Sequence, residues 1–225
     1  MAIDPAKQAA GLAAAQLVED GMQLGLGTGS TVTYFLEGIA ARGLDVTGVP
    51  TSEATADHCR ALGIRLLDPS EVDRLDLCVD GADELDHQLQ LTKGGGGALL
   101  REKVVASLAD RMIVIATPDK LVARLGDTFP IPVEVVPFAL STVSRAFRAW
   151  DVEPVARGDG QYRTDNGNAI LDVRVVGGID DPAAFEAQAM LIPGVAEVGL
   201  FVDLADLALL GRPDGTVVEV HAPQS

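Results

Sequence analysis

The chain has 225 residues, of which 48% are apolar, and a formal net charge of −16. That length buries a full core and accommodates one large domain, or a large one beside a small one. The acidic balance excludes duplex nucleic acid and anionic membrane surfaces as natural partners, since both require a basic face. No uninterrupted apolar run is long enough to span a bilayer. The segment Met1 to Asp20 is Ala-rich with Asp4, Lys7, Glu19 and Asp20 dispersed in it, unlike a secretory leader. The two cysteines, Cys59 and Cys78, fall in a helical and a strand-like stretch and suggest neither a disulfide framework nor a metal spacing. A soluble, cytoplasmic protein is expected.

In chain order, Pro5 to Val18 reads as a helix, Met22 to Leu26 as a short strand, Gly25 to Gly29 as a glycine turn, and Ser30 to Ala40 as a second helix. Leu44 to Val49 is strand-like, Ser52 to Leu62 helical, Ile64 to Leu67 a short strand, and Leu75 to Val79 a strand that ends on Asp80. Ala98 to Leu108 follows a run of four glycines as a helix, with Leu100, Val104 and Leu108 as its core stripe and Glu102 off that stripe, beside Ala98 and Ala106. Met112 to Ala116 is the next buried strand. This alternation predicts a Rossmann-like, mostly parallel sheet with helices on both faces.

The texture changes at Phe129-Pro130-Ile131-Pro132. Strand (Val133 to Val136), helix (Ala139 to Trp150), strand (Val152 to Ala156), strand (Ala169 to Val175), helix (Pro182 to Leu191) and strand (Ala196 to Phe201) give the β-α-β-β-α-β order of a smaller ferredoxin-like α+β domain. Asp165-Asn166-Gly167 supplies turn chemistry between its middle strands. Asp206 to Val220 reads as a hairpin returning to the first domain. The expected boundaries are 1–129 plus 202–225 for the larger domain and 130–201 for the smaller.

Three segments carry chemistry. Strand, glycine turn and helix around Gly25 to Thr31 present backbone N–H groups and a positive dipole end to an anion, and Thr28, Ser30 and Thr31 add hydroxyl donors. The turn is neither a dinucleotide fingerprint, since Ser30 stands at the third glycine, nor a P-loop. Asp80 and Asp83 flank a Gly-Ala turn at a strand's carboxyl end, where open α/β sheets bind ligands, and can exchange protons with sugar hydroxyls. A cation held by Asp80, Asp83, Glu84 and Asp86 is the rival account, but the spacing does not match a Ca²⁺ loop and no histidine adjoins it. Lys93 before Gly94, Gly95, Gly96 and Gly97 has the composition of an oxyanion site. Only four of seventeen basic residues are lysine, and Lys93 and Lys120 both follow strand-like runs. Bland alternatives stand beside each motif: a capped turn, helix-capping acids, a flexible glycine linker. His58, His87 and His221 are scattered, and no serine-nucleophile signature occurs.

Taken together, Gly25-Leu26-Gly27-Thr28-Gly29-Ser30-Thr31, Asp80-Gly81-Ala82-Asp83-Glu84, Lys93-Gly94-Gly95-Gly96 and Arg101-Glu102-Lys103 resemble the motifs of type A ribose-5-phosphate isomerases. Pro132-Val133-Glu134-Val135, Thr164 to Asn168 and Ile192-Pro193-Gly194-Val195 extend the likeness over nearly the whole chain. One small departure is Gly97, where the family also carries alanine. The resemblance implies interconversion of ribose 5-phosphate and ribulose 5-phosphate in the pentose phosphate pathway, without metal or organic cofactor, by a homodimer or tetramer. It implies Glu102 as the base acting between C2 and C1, Asp80 as a helper in ring opening, and Lys93 with the glycine amides as stabilisers of a cis-enediolate. Thr28, Gly29, Ser30, Thr31, Gly81, Ala82, Asp83, Gly94, Gly95, Gly96, Lys120 and Lys7 would contact the sugar phosphate. Two alternatives remain: a sugar-phosphate-sensing module, which would need a DNA-binding segment, and an acyl-CoA transferase relative, which would need its own glutamate motif and a larger chain.

Overall fold

Residues 3–223 are described in a computed structural model. Packing groups the chain into two units, one formed by the segments up to Ala82, Arg101–Leu121 and from Leu204 onward, the other by Asp83–Leu100 and Val122–Asp203.

In the first unit the helices are α1 (Pro5–Ala15), α2 (Ser30–Arg42) and α3 (Glu53–Leu62). Its first strands are β1 (Gln23–Leu26), β2 (Thr47–Pro50), β3 (Arg65–Leu66) and β4 (Leu77–Asp80). With β7 (Met112–Ala116), β13 (Leu207–Gly211) and β14 (Val217–His221) they form a seven-stranded sheet in the order β14-β13-β7-β4-β1-β2-β3. All neighbours are parallel except β13 and β14. The runs Leu77–Asp80, Met112–Ala116 and Leu207–Gly211 are buried throughout, as strands covered on both faces must be. Phe35, Leu36 and Ile39 of α2 and Ala10, Ala14 and Ala15 of α1 pack with Leu24, Leu26, Val79 and Ile113 of the strands. Strand order reverses direction at β1, whose neighbours are β2 and β4, so a ligand crevice is expected at the carboxyl ends of β1 and β4.

The second unit holds two antiparallel sheets. Strands β8 (Ile131–Val135), β9 (Glu153–Ala156), β10 (Ala169–Arg174) and β11 (Val195–Val198) are ordered β11-β8-β10-β9, with α5 (Leu140–Arg148) between β8 and β9 and α6 (Pro182–Met190) between β10 and β11. This is the expected ferredoxin-like arrangement, with Val133, Val143, Phe147, Leu171 and Ala189 in its core. A three-stranded sheet, β12-β6-β5, joins Leu200–Phe201, Leu91–Thr92 and Glu84–Leu85. It draws residues 83–100 and 122–129 into this unit, whereas the change of texture at Phe129 leaves them with the larger domain.

The expected strand Ala196 to Phe201 is interrupted. Gly199 donates its N–H to Pro132 O (2.7 Å) and accepts from Lys93 N (2.8 Å), so the chain leaves one sheet and enters the next at that residue.

Candidate active site

The described site residues fall into two groups, one in each unit. In the first unit they gather along the carboxyl edge of the parallel strands: Thr28 follows β1, Thr51 follows β2, Asp80 ends β4, and Lys120 closes the 3₁₀ turn Pro118–Lys120 after β7. Gly29 is the N-cap of α2 and offers no side chain to the first turn, so the helix's free N–H groups and its positive end face outward from the glycine turn. Lys7 Nζ donates to Ser30 Oγ at 2.9 Å, bringing an ammonium to that helix start. A cation, N–H groups and hydroxyls at one helix N-terminus are the groups that attract an anion.

Asp80 is fully buried. Its Oδ1 accepts from Thr28 N (3.0 Å) and Gly81 N (2.7 Å), tying the strand end to the anion-binding turn. The glycine at 27 is required by this approach, because a Cβ there would collide with the Asp80 carboxyl. Thr28 Oγ1 lies 2.7, 2.9 and 3.1 Å from the hydroxyl oxygens of Thr51, Ser52 and Thr55. Thr55 in turn donates to Gly27 O (2.9 Å). Sequence reasoning did not single out these three hydroxyls; the signal available was a hydroxyl-rich stretch at the end of the strand next to β1.

Glu102 lies in α4 (Leu99–Ser107), and here the expected stripe is out of phase. Leu99, Val105 and Ala106 are buried while Val104 is 46% exposed. Three residues on a helix subtend about 60° from a full turn, so Glu102 shares the buried face with Leu99 and Val105. It is 5% exposed, and the small Ala98 and Ala106 flank it as expected, but on the inside of the helix rather than an open side.

In the second unit, β5 (Glu84–Leu85) and β6 (Leu91–Thr92) form a short hairpin whose open end carries Asp83 and Lys93 on its two adjacent strands. Asp83 N donates to Thr92 O (2.8 Å), and Asp83 Oδ2 accepts the Gly95 N–H (2.7 Å). Lys93 is 2% exposed, with Nζ 5.4 Å from the Phe201 ring centroid. Glu84 is fully buried and accepts five hydrogen bonds: Oε1 from Thr128 N, Thr128 Oγ1 and Phe129 N, Oε2 from Gly126 N and Thr92 Oγ1. An acid so saturated has no lone pair to offer a cation. Asp86 accepts from Gln88 N and Gln90 N within the hairpin turn. These two carboxylates hold the scaffold. Arg157 and Tyr162, which no local pattern marks, meet the glycine run directly, and Asp172 holds Arg157.

The family model for ribose 5-phosphate isomerase A (phosphoriboisomerase A) matches residues 47–215. The ribose-5-phosphate isomerase A of Roseiflexus sp. (strain RS-1) is 50% identical over 216 residues, 92% of each chain. Among solved structures, ribose 5 phosphate isomerase A of Neisseria gonorrhoeae superposes with a TM-score of 0.92 at 38% identity, covering 97% of this chain and 96% of that one. A D-ribose-5-phosphate isomerase in complex with phospho-erythronic acid gives 0.93 at 37% identity, covering 98% and 100%. Likeness of sequence and of fold thus runs the length of the molecule, and the chain belongs to the ribose-5-phosphate isomerase A family.

Proposed function

We propose that the chain performs its family's aldose–ketose interconversion of ribose 5-phosphate and ribulose 5-phosphate with Glu102 as base, Asp80 as ring-opening acid–base group and Lys93 as electrostatic partner of the enediolate. The observation that carries this reading is the bonding of the buried Asp80 carboxylate to the backbone of the anion-ready turn at Thr28. An acid–base group is thereby fixed relative to a place where phosphate binds.

The phosphate is held at the start of α2 by the N–H groups, by Ser30 and Thr31, and by the ammonium groups of Lys7 and Lys120. Asp80 takes up and returns the hydroxyl proton exchanged as the furanose ring opens, which exposes an aldehyde at C1. Glu102 removes the proton from C2, and the C–H electrons form the C1–C2 double bond while the carbonyl pair moves onto O1. Lys93 and the glycine amides stabilise that oxyanion. A proton passes from the C2 hydroxyl to O1, and Glu102 returns its proton to C1, leaving a ketone at C2. Glu102 lies in the first turn of α4, where the helix dipole favours a carboxylate. Assembly as a homodimer and a cytoplasmic location complete the reading; light scattering of the purified protein and fractionation of the source cells test them. Among the described residues no helix is long and apolar enough to cross a membrane.

Turnover in heavy water tests the mechanism. A proton carried on Glu102 exchanges with solvent, so deuterium should enter the sugar at C1 or C2. Complete retention of substrate hydrogen, with activity lost to a chelator and restored by a divalent ion, would replace this mechanism with a metal-assisted shift. Binding of ribose 5-phosphate without turnover would make the chain a sensor instead.

A further inference from the structure

The run Gly94 to Gly97 has no side chains with which to fix its own shape, yet an oxyanion site works only if its donors are aligned before the charge develops. The second unit supplies that alignment from outside the loop. Arg157 Nη1 donates to Gly94 O at 3.0 Å and to Gly95 O at 3.1 Å. Tyr162 Oη donates to Gly96 O at 3.2 Å. Three successive carbonyls are therefore engaged by two side chains.

Arg157 is itself fixed. Its Nε and Nη2 donate to Asp172 Oδ2 and Oδ1 at 2.9 and 2.6 Å, a two-pronged pairing in which both side chains are largely buried. Its guanidinium carbon lies 5.4 Å from the Tyr162 ring centroid, so the aromatic face backs the cation. Burial opposes the charge, but the Asp172 carboxylate outweighs it and raises the guanidinium above its ordinary pKa. The donors are permanently protonated.

In a trans peptide the N–H is antiparallel to the carbonyl of the same unit, so each engaged carbonyl fixes the direction of the next residue's amide. The Gly95 N–H goes to Asp83 Oδ2, and the Gly97 N–H closes a turn on Gly94 O at 2.9 Å. The amide between them, that of Gly96, donates to no acceptor among the described residues. Its peptide unit is the one whose carbonyl, Gly95 O, Arg157 holds.

We propose that Arg157, locked by Asp172 and backed by Tyr162, is a positioning residue for isomerisation, holding the Gly94–Gly97 turn so that the Gly96 N–H is presented to the enediolate. This rests on the reading that the glycine amides stabilise that intermediate. The guanidinium touches the loop, not the sugar, so its removal should affect the reaction's charged intermediate more than the binding of phosphate.

The experiment compares Arg157→Met, Arg157→Lys, Tyr162→Phe and Lys93→Met in the full chain, measuring kcat, KM for ribose 5-phosphate and inhibition by phospho-erythronate. That acid is one carbon shorter than the sugar and ends in a carboxylate, a delocalised anion at the reacting end as the enediolate is, so it reports on the loop as the substrate does not. Arg157→Met should lower kcat about 10–100-fold and weaken the acid's binding similarly, with KM changed less than about threefold. Arg157→Lys should be nearly as impaired, since an ammonium cannot span two carbonyls and a carboxylate at once. Tyr162→Phe should lose about 3–10-fold in kcat, and it decides the matter if the arginine variants fail to fold. Normal kcat in the Arg157 and Tyr162 variants beside a disabled Lys93→Met would overturn the inference and leave the oxyanion reading standing. A rise in KM matching the whole loss would overturn it too, and normal turnover in all four would remove both.

Discussion

Replacing Glu84 by alanine should unfold the second unit at markedly lower denaturant, and the structure gives the size of the effect. The carboxylate is fully buried with no cation paired to it among the described residues, and five donors compensate its charge. On truncation the N–H of Phe129 and both donors of Thr128 lie close enough to the surface to take water, since Thr128 is exposed and Phe129 half-buried. The Gly126 N–H and the Thr92 hydroxyl are buried and have no substitute. Each unsatisfied buried donor costs about 1–3 kcal/mol, so the loss should be about 2–6 kcal/mol before any cavity is counted. Trp150 is the sole tryptophan and packs edge-on against Phe147 and Phe185 at 5.1 and 5.5 Å, in the core of the same unit. Its fluorescence in a urea titration therefore reports this unit alone, and the midpoint should fall by on the order of 1–2 M. Glu84→Gln, which keeps one acceptor oxygen, should fall between wild type and alanine. A midpoint within about 0.2 M of wild type for the alanine variant would mean that the five bonds contribute nothing net, and would return Glu84 to the candidate ligands.

Glu102→Gln should lower kcat by roughly 10²–10⁴ while leaving phospho-erythronate binding and the far-ultraviolet spectrum intact, and near-normal turnover would remove it from the mechanism. Lys120→Ala should raise KM more than it lowers kcat; an unchanged KM at both low and moderate salt would make it an ordinary surface lysine. Cys59, buried in α3, has its thiol pushed up from 9.0 to about 11 by desolvation, against a smaller opposing effect of Arg60. Between those values the unfolded chain sheds the proton and the folded chain keeps it, so stability should decline as pH rises from about 9 towards 11. Cys59→Ala should flatten that part of the stability curve relative to wild type, and equal slopes for both proteins would contradict the burial argument.

The sheet of the first unit was legible because its central strands are buried on both faces and read as unbroken apolar runs, Met112–Ala116 most plainly. The ferredoxin-like order was legible for a related reason: amphipathic α5 and the β10 run stand between clear turn signals. The three-stranded sheet was not, since two-residue strands such as Glu84–Leu85 show no period. Helix α4 misled by one residue because a carboxylate occupies its buried face, so an apolar count follows Leu100 and Val104 instead of Leu99 and Val105. Asp80, Asp83 and Lys93 announced themselves by their glycine and strand-end settings. Arg157 and Asp172 did not, because what joins them to Gly94 is contact across 62 or more residues of chain, which spacing cannot encode.

Gly97 is held at φ +83°, and a methyl added there would strike the hydroxyl of Tyr162. Alanine at 97 therefore meets two obstacles, the left-handed backbone that any Cβ strains and the Tyr162 ring, and shrinking the ring removes only the second. Mutational paths through the loop must change the ring before, or together with, the glycine. A library randomising both positions at once should recover pairings that no one-at-a-time scan would pass, with smaller residues at 162 wherever 97 has gained a side chain.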